Sequence, residues 1–510
     1  MNYFDSEEKF TETQLPPQEA FCSSLTGETI TDEDYEHAQI IWNDFNIKHL
    51  GEYHDLYVIT DVLALAGVFE NFRDICLNYY ELDPAHFYTS PGLAWQAALK
   101  MTGVQLELLT DIDQHLFIEK GLRGGISFIA HRYAKSNNTH LPEFNPEQPE
   151  SHIIYLDANN LYGWAMSQPL PVRGFHWLNE TNIEQLDIAQ VPDDASEGYI
   201  LEVDLDYPHE LHDLHNDYPL APEKLKVTEE MLSTYAKQLL DELNLKGTST
   251  EKLIPNLLPK DKYVVHYHNL KFYLSLGMKM TKIHRVMAIE QQAWLKAYIE
   301  FNTEKRKAAK NYFQKDFFKL MNNSVFGKTM ENLRKRVDVK LISNKKRACK
   351  LVAKPNFHAF RIFNEDLVAV HLSKQRLYLN RPIYVGFNIL DVSKILMYNF
   401  HYNYIKVKYE SKAQLLFTDT DSLCYSIQTK DIYQDMMEER HLFDTSDYDP
   451  GHPLYSTTNK KSLGKMKDEM HGIPIHEFVG LKSKMYSLIY QEKDQVMEKK
   501  TAKGIVTGIL

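Results

Sequence analysis

The sequence predicts a mixed α/β (α+β) protein of several domains, on three observations. Its 510 residues are enough for three or four domains with sizeable cores. Long stretches of helical pattern, 53–80 and roughly 289–333, alternate with short strand-like runs. Two of those runs, "SHIIYLD" and "QLLFTDTD", end in aspartates, which are poor strand formers and so call for a reason.

Composition narrows the class. With 31 Tyr and 25 Phe this is not a disordered chain. The four cysteines (Cys22, Cys76, Cys349, Cys424) are scattered and form no CxxC pair, which argues against a zinc ribbon or disulfide scaffold. The expected setting is a reducing intracellular compartment, nucleus or cytoplasm, or a mitochondrion without a visible leader. The start "MNYFDSEEKFTETQ" is acidic and polar, and "VITDVLALAGVF" is too short to span a bilayer, so no membrane partner is expected. The net charge of −13 hides a gradient: residues 1–50 hold eleven Asp/Glu against two Lys/Arg, whereas 301–350 hold fifteen Lys/Arg against four Asp/Glu. A local basic field suits a polyanion, and Phe313, Phe317, Phe318 and Phe326 interleave with its cations.

In chain order, residues 1–30 are expected to be a poorly ordered lead-in. "TDEDYEHAQIIWNDF" reads as a helix with Thr31 as N-cap and Asp34 as its acidic partner. Residues 53–80 read as a long apolar helix, expected to be buried. "LRGGISF" (122–128) is a Gly-Gly turn entering a strand. "SHIIYLDANNLYGWAM" (151–166) is a strand, a turn holding Asp157, then a short helix. Residues 179–265 mix acidic loops, short strands and the Pro-bounded "NLLPKDKYVVHY". From Ile289 to Leu333 two helices join near Asn302 or Asn311, a strand follows at 337–343, and 376–404 gives strands and a buried helix. "QLLFTDTDSLCYSI" (414–427) is a hairpin, followed by a tail with "VGLKSKMYSLIY" and "TAKGIVTGI".

"FTDTDS" is either a solvated hairpin tip or a strand built to aim carboxylates at a cation. Strand side chains alternate, so Asp419 and Asp421 project to one side. If the "HIIYL" strand lies beside them, Asp157 joins, and three hard oxygen donors suit Mg²⁺. Paired Mg²⁺ ions about 3.5–4 Å apart are a general device for phosphoryl displacement. Lys315 and Lys319, four apart, share a helix face suited to a triphosphate.

These residues carry a resemblance to the family B DNA polymerases, specifically the protein-primed branch of viruses, linear plasmids and self-synthesising DNA transposons. "DANNLYGWAM" resembles motif A, "KLMNNSVFG" motif B, "FTDTDS" motif C, and "KSKMY" the Lys-x-Tyr motif that precedes the thumb. The order is right, and the gaps leave room for the branch's two insertions. The resemblance implies a right-hand polymerase: palm sheet, helical fingers, partial thumb, and a remnant of an N-terminal RNase H-like exonuclease domain. The implied organisation is 1–100 exonuclease remnant, 101–150 linker with the template-binding turn, 151–285 and 336–470 palm with insertions, 286–335 fingers, and 471–510 the start of the thumb.

The resemblance implies roles in turn. Asp157 and Asp421 are the main ligands of two Mg²⁺ ions, with Asp419 in support and the Ala158 carbonyl as a backbone ligand. Tyr162 lies under the incoming sugar and excludes a 2′-hydroxyl. Lys319 binds the dNTP triphosphate, with Lys315 and Lys307 assisting. Asn323 and Phe326 sit against the nascent base pair, and Gly327 allows close approach. Lys482, Lys484 and Tyr486 hold the primer strand, and Arg123, Gly124 and Gly125 the template. "YVITD" resembles exonuclease motif III, giving Tyr57 and Asp61, but only 56 residues precede it, and little follows "KMYS". The chain therefore reads as a fragment or partly decayed copy. Departures are Asn160 and Gly163 in motif A, Phe326 in motif B, and Leu122 before the Gly-Gly turn; none removes a metal ligand.

The expected function is template-directed DNA synthesis on a template-primer, or from a terminal priming protein, in replication of a viral or transposon-like element. The alternative is a catalytically decayed DNA-binding remnant, against which the intact set Asp157, Asp419, Asp421 and Lys319 counts. An exonuclease-type hydrolase lacks its upstream acids, and a reverse transcriptase normally has adjacent aspartates.

Overall fold

The computed structural model describes residues 3–22, 27–244, 250–492 and 495–503. It forms two compact units, Met1–Thr89 and Ser90–Leu510.

In the first unit, the described part of the lead-in makes two short 3₁₀ turns, Glu7–Thr11 and Gln18–Phe21. Helix α1 (Asp32–Asp44) starts on the expected capping box: the Thr31 hydroxyl accepts from the Asp34 amide, and the Asp34 carboxylate from the Thr31 amide. Helix α2 (Leu50–Tyr80) corrects the expectation of a buried helix. Its buried residues lie at its ends (Leu50, Ile75, Cys76, Tyr80), while Val62, Leu63, Leu65 and Val68 each expose more than half their surface. Among the described residues, this unit contains no strand and no helix in the chain is long and apolar enough to cross a membrane. The expected RNase H-like remnant is thus represented by helices alone. The unit ends at Thr89 rather than 100, because α3 (Ser90–Thr102) packs within the second unit.

The second unit continues with α4 (Ile112–Gly121), β1 (Ser127–Ile129), β2 (Tyr133–Lys135), β3 (His152–Ala158) and α5 (Leu161–Met166). A four-stranded antiparallel sheet comes next, from β4 (Leu170–Trp177), β5 (Glu197–Asp206), β6 (Lys260–His266) and β7 (Lys279–Gln292), in the order β4-β7-β5-β6. The stretch from Ile289, expected to be helical, is the end of β7, where cross-strand pairing with β4 and β5 prevails. The helices α6 (Lys296–Ala308) and α7 (Tyr312–Thr329) join at Asn311, whose side chain caps α7 by accepting from the Gln314 amide. Asn302, the other candidate junction, is buried within α6.

A small layer of β8 (Val337–Ile342), α8 (Lys345–Val352), β9 (Phe357–Asn364) and β10 (Leu367–Ser373) follows, with Ile342, Val370 and Leu372 as its core. Residues 376–382, expected to be a strand, have no regular structure and lead into α9 (Ile383–Asn399). Most of α9 is buried, its polar Asn388, Asp391 and Lys394 included.

The chain then returns to the central sheet through β11 (Ala413–Asp419), β12 (Ser422–Ile427), β13 (Met466–Asp468), β14 (Ile475–Lys482), β15 (Met485–Glu492) and β16 (Gln495–Ala502). The order is β1-β11-β12-β3-β14-β15-β16, with β2 paired to β14 and β13 to β3. The segment expected to begin a thumb is therefore three strands extending the sheet that carries Asp157; the end of "TAKGIVTGI" lies outside the described residues. Strand β3 is central and apolar on both faces. Ile154, Leu156 and Ala158 enter one core with Leu415, Leu423 and Tyr425, while Ile153 and Tyr155 enter another with Phe417, Phe478 and Tyr486. Period-2 alternation puts Asp157 on the Tyr155 face, at the rim of the second core.

Candidate active site

Strands β3, β12 and β11 bring the two acidic segments to one end of the sheet. Ser422 pairs with Asp157 on one side and with Asp419 on the other, so the three aspartates flank one strand start. The hairpin tip is fixed by backbone bonds. The Ala158 amide donates to the Asp421 carbonyl at 2.7 Å, and the Thr420 amide to the Ile126 carbonyl at 2.8 Å. Thr420 is left-handed, with φ 64°. A Cβ on Gly125 would lie 2.4 Å from the Thr420 side chain, so the Gly-Gly turn is glycine here to let the tip pack down.

The electrostatics of this end are unbalanced. Burial pushes the Asp157 carboxyl up to about 8, with the charges of Asp421 and Glu469 adding to it and Lys467 and Lys319 opposing. Asp421 is also raised, first by burial and then by Asp419 and Glu469. Asp419 Oδ1 is buried and accepts no hydrogen bond among the described residues; Lys484 Nζ stands 3.3 Å from it. Hard carboxylate oxygens gathered at one strand end, with Lys484 paired to one of them and burial raising the other two carboxyls, fit a divalent cation. They are not drawn into a finished cage. Among the described residues, the one group of three ligands with atoms all within 4.8 Å is Asp204, Asp261 and His284 on the four-stranded sheet. There His284 Nε2 and Asp204 Oδ1 are already in hydrogen-bond contact at 2.7 Å.

Above the acids, Tyr162 on α5 packs its ring 4.6 Å from that of Phe326 on α7. Burial and the charge of Asp421 push the Tyr162 phenol up to about 12. Tyr162, Phe326, Gly124 and Lys224 line part of a cavity of about 460 Å³. The departures Asn160 and Gly163 form a pair: left-handed Asn160 (φ 44°) caps α5 by accepting from the Gly163 amide, and a Cβ on Gly163 would strike that side chain. On α7, Phe317, Phe318, Met321 and Val325 are buried, whereas Lys315, Lys319, Asn323, Phe326 and Gly327 follow one outer stripe at helical spacing. The charge of Lys319 reaches Asp157, while Lys307 is held by Glu304 on its own helix at 2.9 Å.

Three residues expected at the nucleic acid make their contacts within the protein. The Arg123 guanidinium is buried, donates to the carbonyls of Gly121 and Val264, and stacks 3.7 Å from the Tyr263 ring, so it is a core cation. Tyr486 is buried too, 4.2 Å from the Phe417 ring and with its hydroxyl 3.0 Å from that of Tyr155. Gly125 serves the Thr420 contact. Lys484 is turned towards Asp419, Lys482 is exposed, and Gly124 has open space where a Cβ would be. In the first unit, Tyr57 and Asp61 are exposed one turn apart on α2, and Asp61 raises the Tyr57 phenol. Sequence reasoning missed Glu469 and Lys467. Strand β13 places Lys467 opposite Asp157, and the charged stretch 460–469 carries no spacing that would have tied it to the aspartates.

A family model described as DNA polymerase type B, organellar and viral, matches residues 32–407. No curated protein matches the chain. Among solved structures, phi29 DNA polymerase in an orthorhombic crystal form is 12% identical with a TM-score of 0.47, covering 81% of this chain and 61% of that one. Phi29 DNA polymerase complexed with primer-template DNA is 13% identical with a TM-score of 0.48, covering 94% and 67%. Its ternary complex with primer-template DNA and incoming nucleotide substrates gives 13%, 0.48, 93% and 66%. The chain thus spans about three-fifths to two-thirds of the length of these polymerases.

Proposed function

The chain belongs to the organellar and viral type B DNA polymerases, and from that membership we propose that it is a DNA-directed DNA polymerase adding deoxynucleotides from dNTPs to a 3′-hydroxyl. The hydroxyl belongs to a primer strand on its template or to a terminal priming protein. The observation that carries the reading is the register that sets Asp157 and Asp419 on either side of Ser422, with Asp421 in the turn between the hairpin strands.

Family B polymerases generally use divalent metal ions. Asp157, Asp421 and Asp419, with the Ala158 carbonyl, are the groups that would hold them, and Mg²⁺, as two ions, suits the all-oxygen set. When bound, such ions supply charge stabilisation for in-line displacement at the nucleotide's α-phosphate. The chain's own residues do the positioning. Lys319 faces the phosphates from the outer stripe of α7, next to the acids. Tyr162, braced by Phe326, floors the sugar pocket and leaves no room for a 2′-hydroxyl. Asn323, Phe326 and Gly327 line the nascent pair. Lys482 takes primer phosphates without reading sequence.

Primer extension on a short hairpin template with Mg²⁺ tests this. The protein should lengthen the primer, and Asp157→Asn or Asp421→Asn should lower kcat by several orders of magnitude while DNA affinity stays within a few-fold. Near-normal turnover in either variant would sink the assignment of these acids. Lack of extension by the unmodified protein, with DNA binding intact, would favour a binding remnant.

A further inference from the structure

One cationic cluster lies outside the expected motifs. The turn 459–465 is strapped to the residue two places after Asp157. The Asn159 amide donates to the Lys465 carbonyl, and the Asn159 carbonyl accepts from the Gly464 amide, both at 2.9 Å. The buried Asp444 carboxylate adds a second strap: its Oδ2 accepts from the Asn159 side-chain amide at 2.6 Å and from the Lys461 backbone amide at 2.7 Å. This carboxylate thereby fixes Lys461 relative to the metal-site strand through the Lys461 backbone.

The half-buried Lys461 side chain has cations for company. Burial lowers its ammonium, and so do the charges of Arg306 on α6, Lys315 on α7 and its neighbour Lys460. Two acids oppose them: Asp447, itself paired with Lys467 at 2.8 Å, and Asp316 on α7, whose charge acts on Arg306. Arg306 Nε is buried and has no hydrogen-bond partner among the described residues. Like charges gathered from three segments, one with an unspent buried donor, are costly unless an anion sits among them.

Position says which anion. Lys319, whose charge reaches Asp157, is one turn from Lys315, a rise of about 6 Å along α7. A polyphosphate laid along that stripe has its reacting end at Lys319 and the acids, and its far end at Lys315, Arg306 and Lys461. We propose that Lys461, delivered by the Asp444–Asn159 strap rather than by the α6–α7 hairpin, binds the terminal phosphates of the incoming dNTP and, with Arg306, distinguishes a triphosphate from a monophosphate. This rests on the polymerase reading above.

The test is equilibrium binding of dNTP and dNMP to the full chain with Mg²⁺ and a primer–template whose primer end is chain-terminated, so that no chemistry occurs. Lys461→Ala and Lys461→Gln should each weaken dNTP binding about tenfold, the loss of one charge-assisted contact, and Lys461→Arg should recover most of it. Binding of dNMP should change less than about twofold. Unchanged dNTP binding in both neutral variants, equal losses for dNTP and dNMP, or no dNTP binding by the unmodified protein would each overturn the proposal. Extension of an unblocked primer is scored separately. Lys461-dependent dNTP binding without extension would defeat the polymerase reading alone, and extension with Lys461-independent binding would defeat this proposal alone.

Discussion

Asp157→Asn should make the metal-free protein more stable even as it abolishes nucleotide addition. Burial, then Asp421 and Glu469, push the Asp157 carboxyl up to about 8 in the folded chain, against an unfolded value of about 3.9. Between about pH 4 and 8 the native state therefore holds a proton that the unfolded chain has released. Stability falls as pH rises through that window, and the full penalty stands above about pH 8. A gap of about four pH units, at about 1.36 kcal/mol each, sets a ceiling near 6 kcal/mol. Solvent reaching the open side of the turn reduces the realised gain to roughly 1–3 kcal/mol for the neutral amide. In a unit of this size that amounts to about 1–3 °C in Tm. The assay is a thermal melt of both proteins in EDTA at about pH 5 and about pH 8.5. The variant should melt higher at the alkaline pH and show a smaller difference at the acid one. Millimolar Mg²⁺ should then raise the melting point of the unmodified protein and barely move the variant, since only the former gains a ligand for its cation. If the variant melts lower than the unmodified protein in EDTA at about pH 8.5, Asp157 is satisfied by its surroundings and is no metal ligand in waiting.

Other outcomes follow from the same geometry. Lys319→Ala should raise the dNTP KM at least about tenfold with a smaller effect on DNA binding, because a cation facing the phosphates is lost; an unchanged KM would remove it from the site. Tyr162→Ala should increase ribonucleotide incorporation, and unchanged sugar discrimination would leave it as packing for Phe326. Gly125→Ala should cost about 1–3 kcal/mol and depress kcat by driving a methyl into Thr420. Adding Thr420→Gly, which relieves both the clash and a left-handed threonine, should restore much of the loss, and a harmless single variant would refute the packing argument. Single-stranded DNA incubated with Mg²⁺ and no dNTPs should keep its length. Steady 3′-end shortening that vanishes in Asp61→Ala would show that α2 serves an exonuclease centre.

How much of this was legible in the sequence depends on how far away each residue's partners lie. The capped start of α1, the "HIIYL" strand and the "FTDTDS" hairpin are local patterns, set by a cap three residues away, by alternation or by a tight turn, and they stand as read. The stripe of Lys315, Lys319, Asn323 and Phe326 is also local, being one face of one helix. Errors arose where tertiary pairing decides. Ile289–Gln292 has residues that suit a helix, yet strands on both sides claim it. The apolar surplus of α2 promised burial, but composition cannot say how many sides of a helix find neighbours.

Side-chain roles divide on the same line. Arg123 and Tyr486 lie in segments that resemble nucleic-acid motifs, and a sequence offers no way to see that a guanidinium is spent on Val264, 141 residues on, or a phenol on Tyr155, 331 residues back. Glu469, Asp444 and Lys461 were invisible for the converse reason. Each sits in an ordinary loop or strand end and acquires its meaning only when the 443–469 segment folds back along Asp157 and Asn159. The local motifs thus supply the charges that do the proposed chemistry, and the long-range contacts hold them in place. The Asn160–Gly163 pair joins the two: a departure from the family pattern that looks like erosion in sequence is a cap and the gap that accommodates it. A substitution at either position alone would unseat the turn that carries Tyr162 from Asp157, which is why the two residues are intelligible only as a pair.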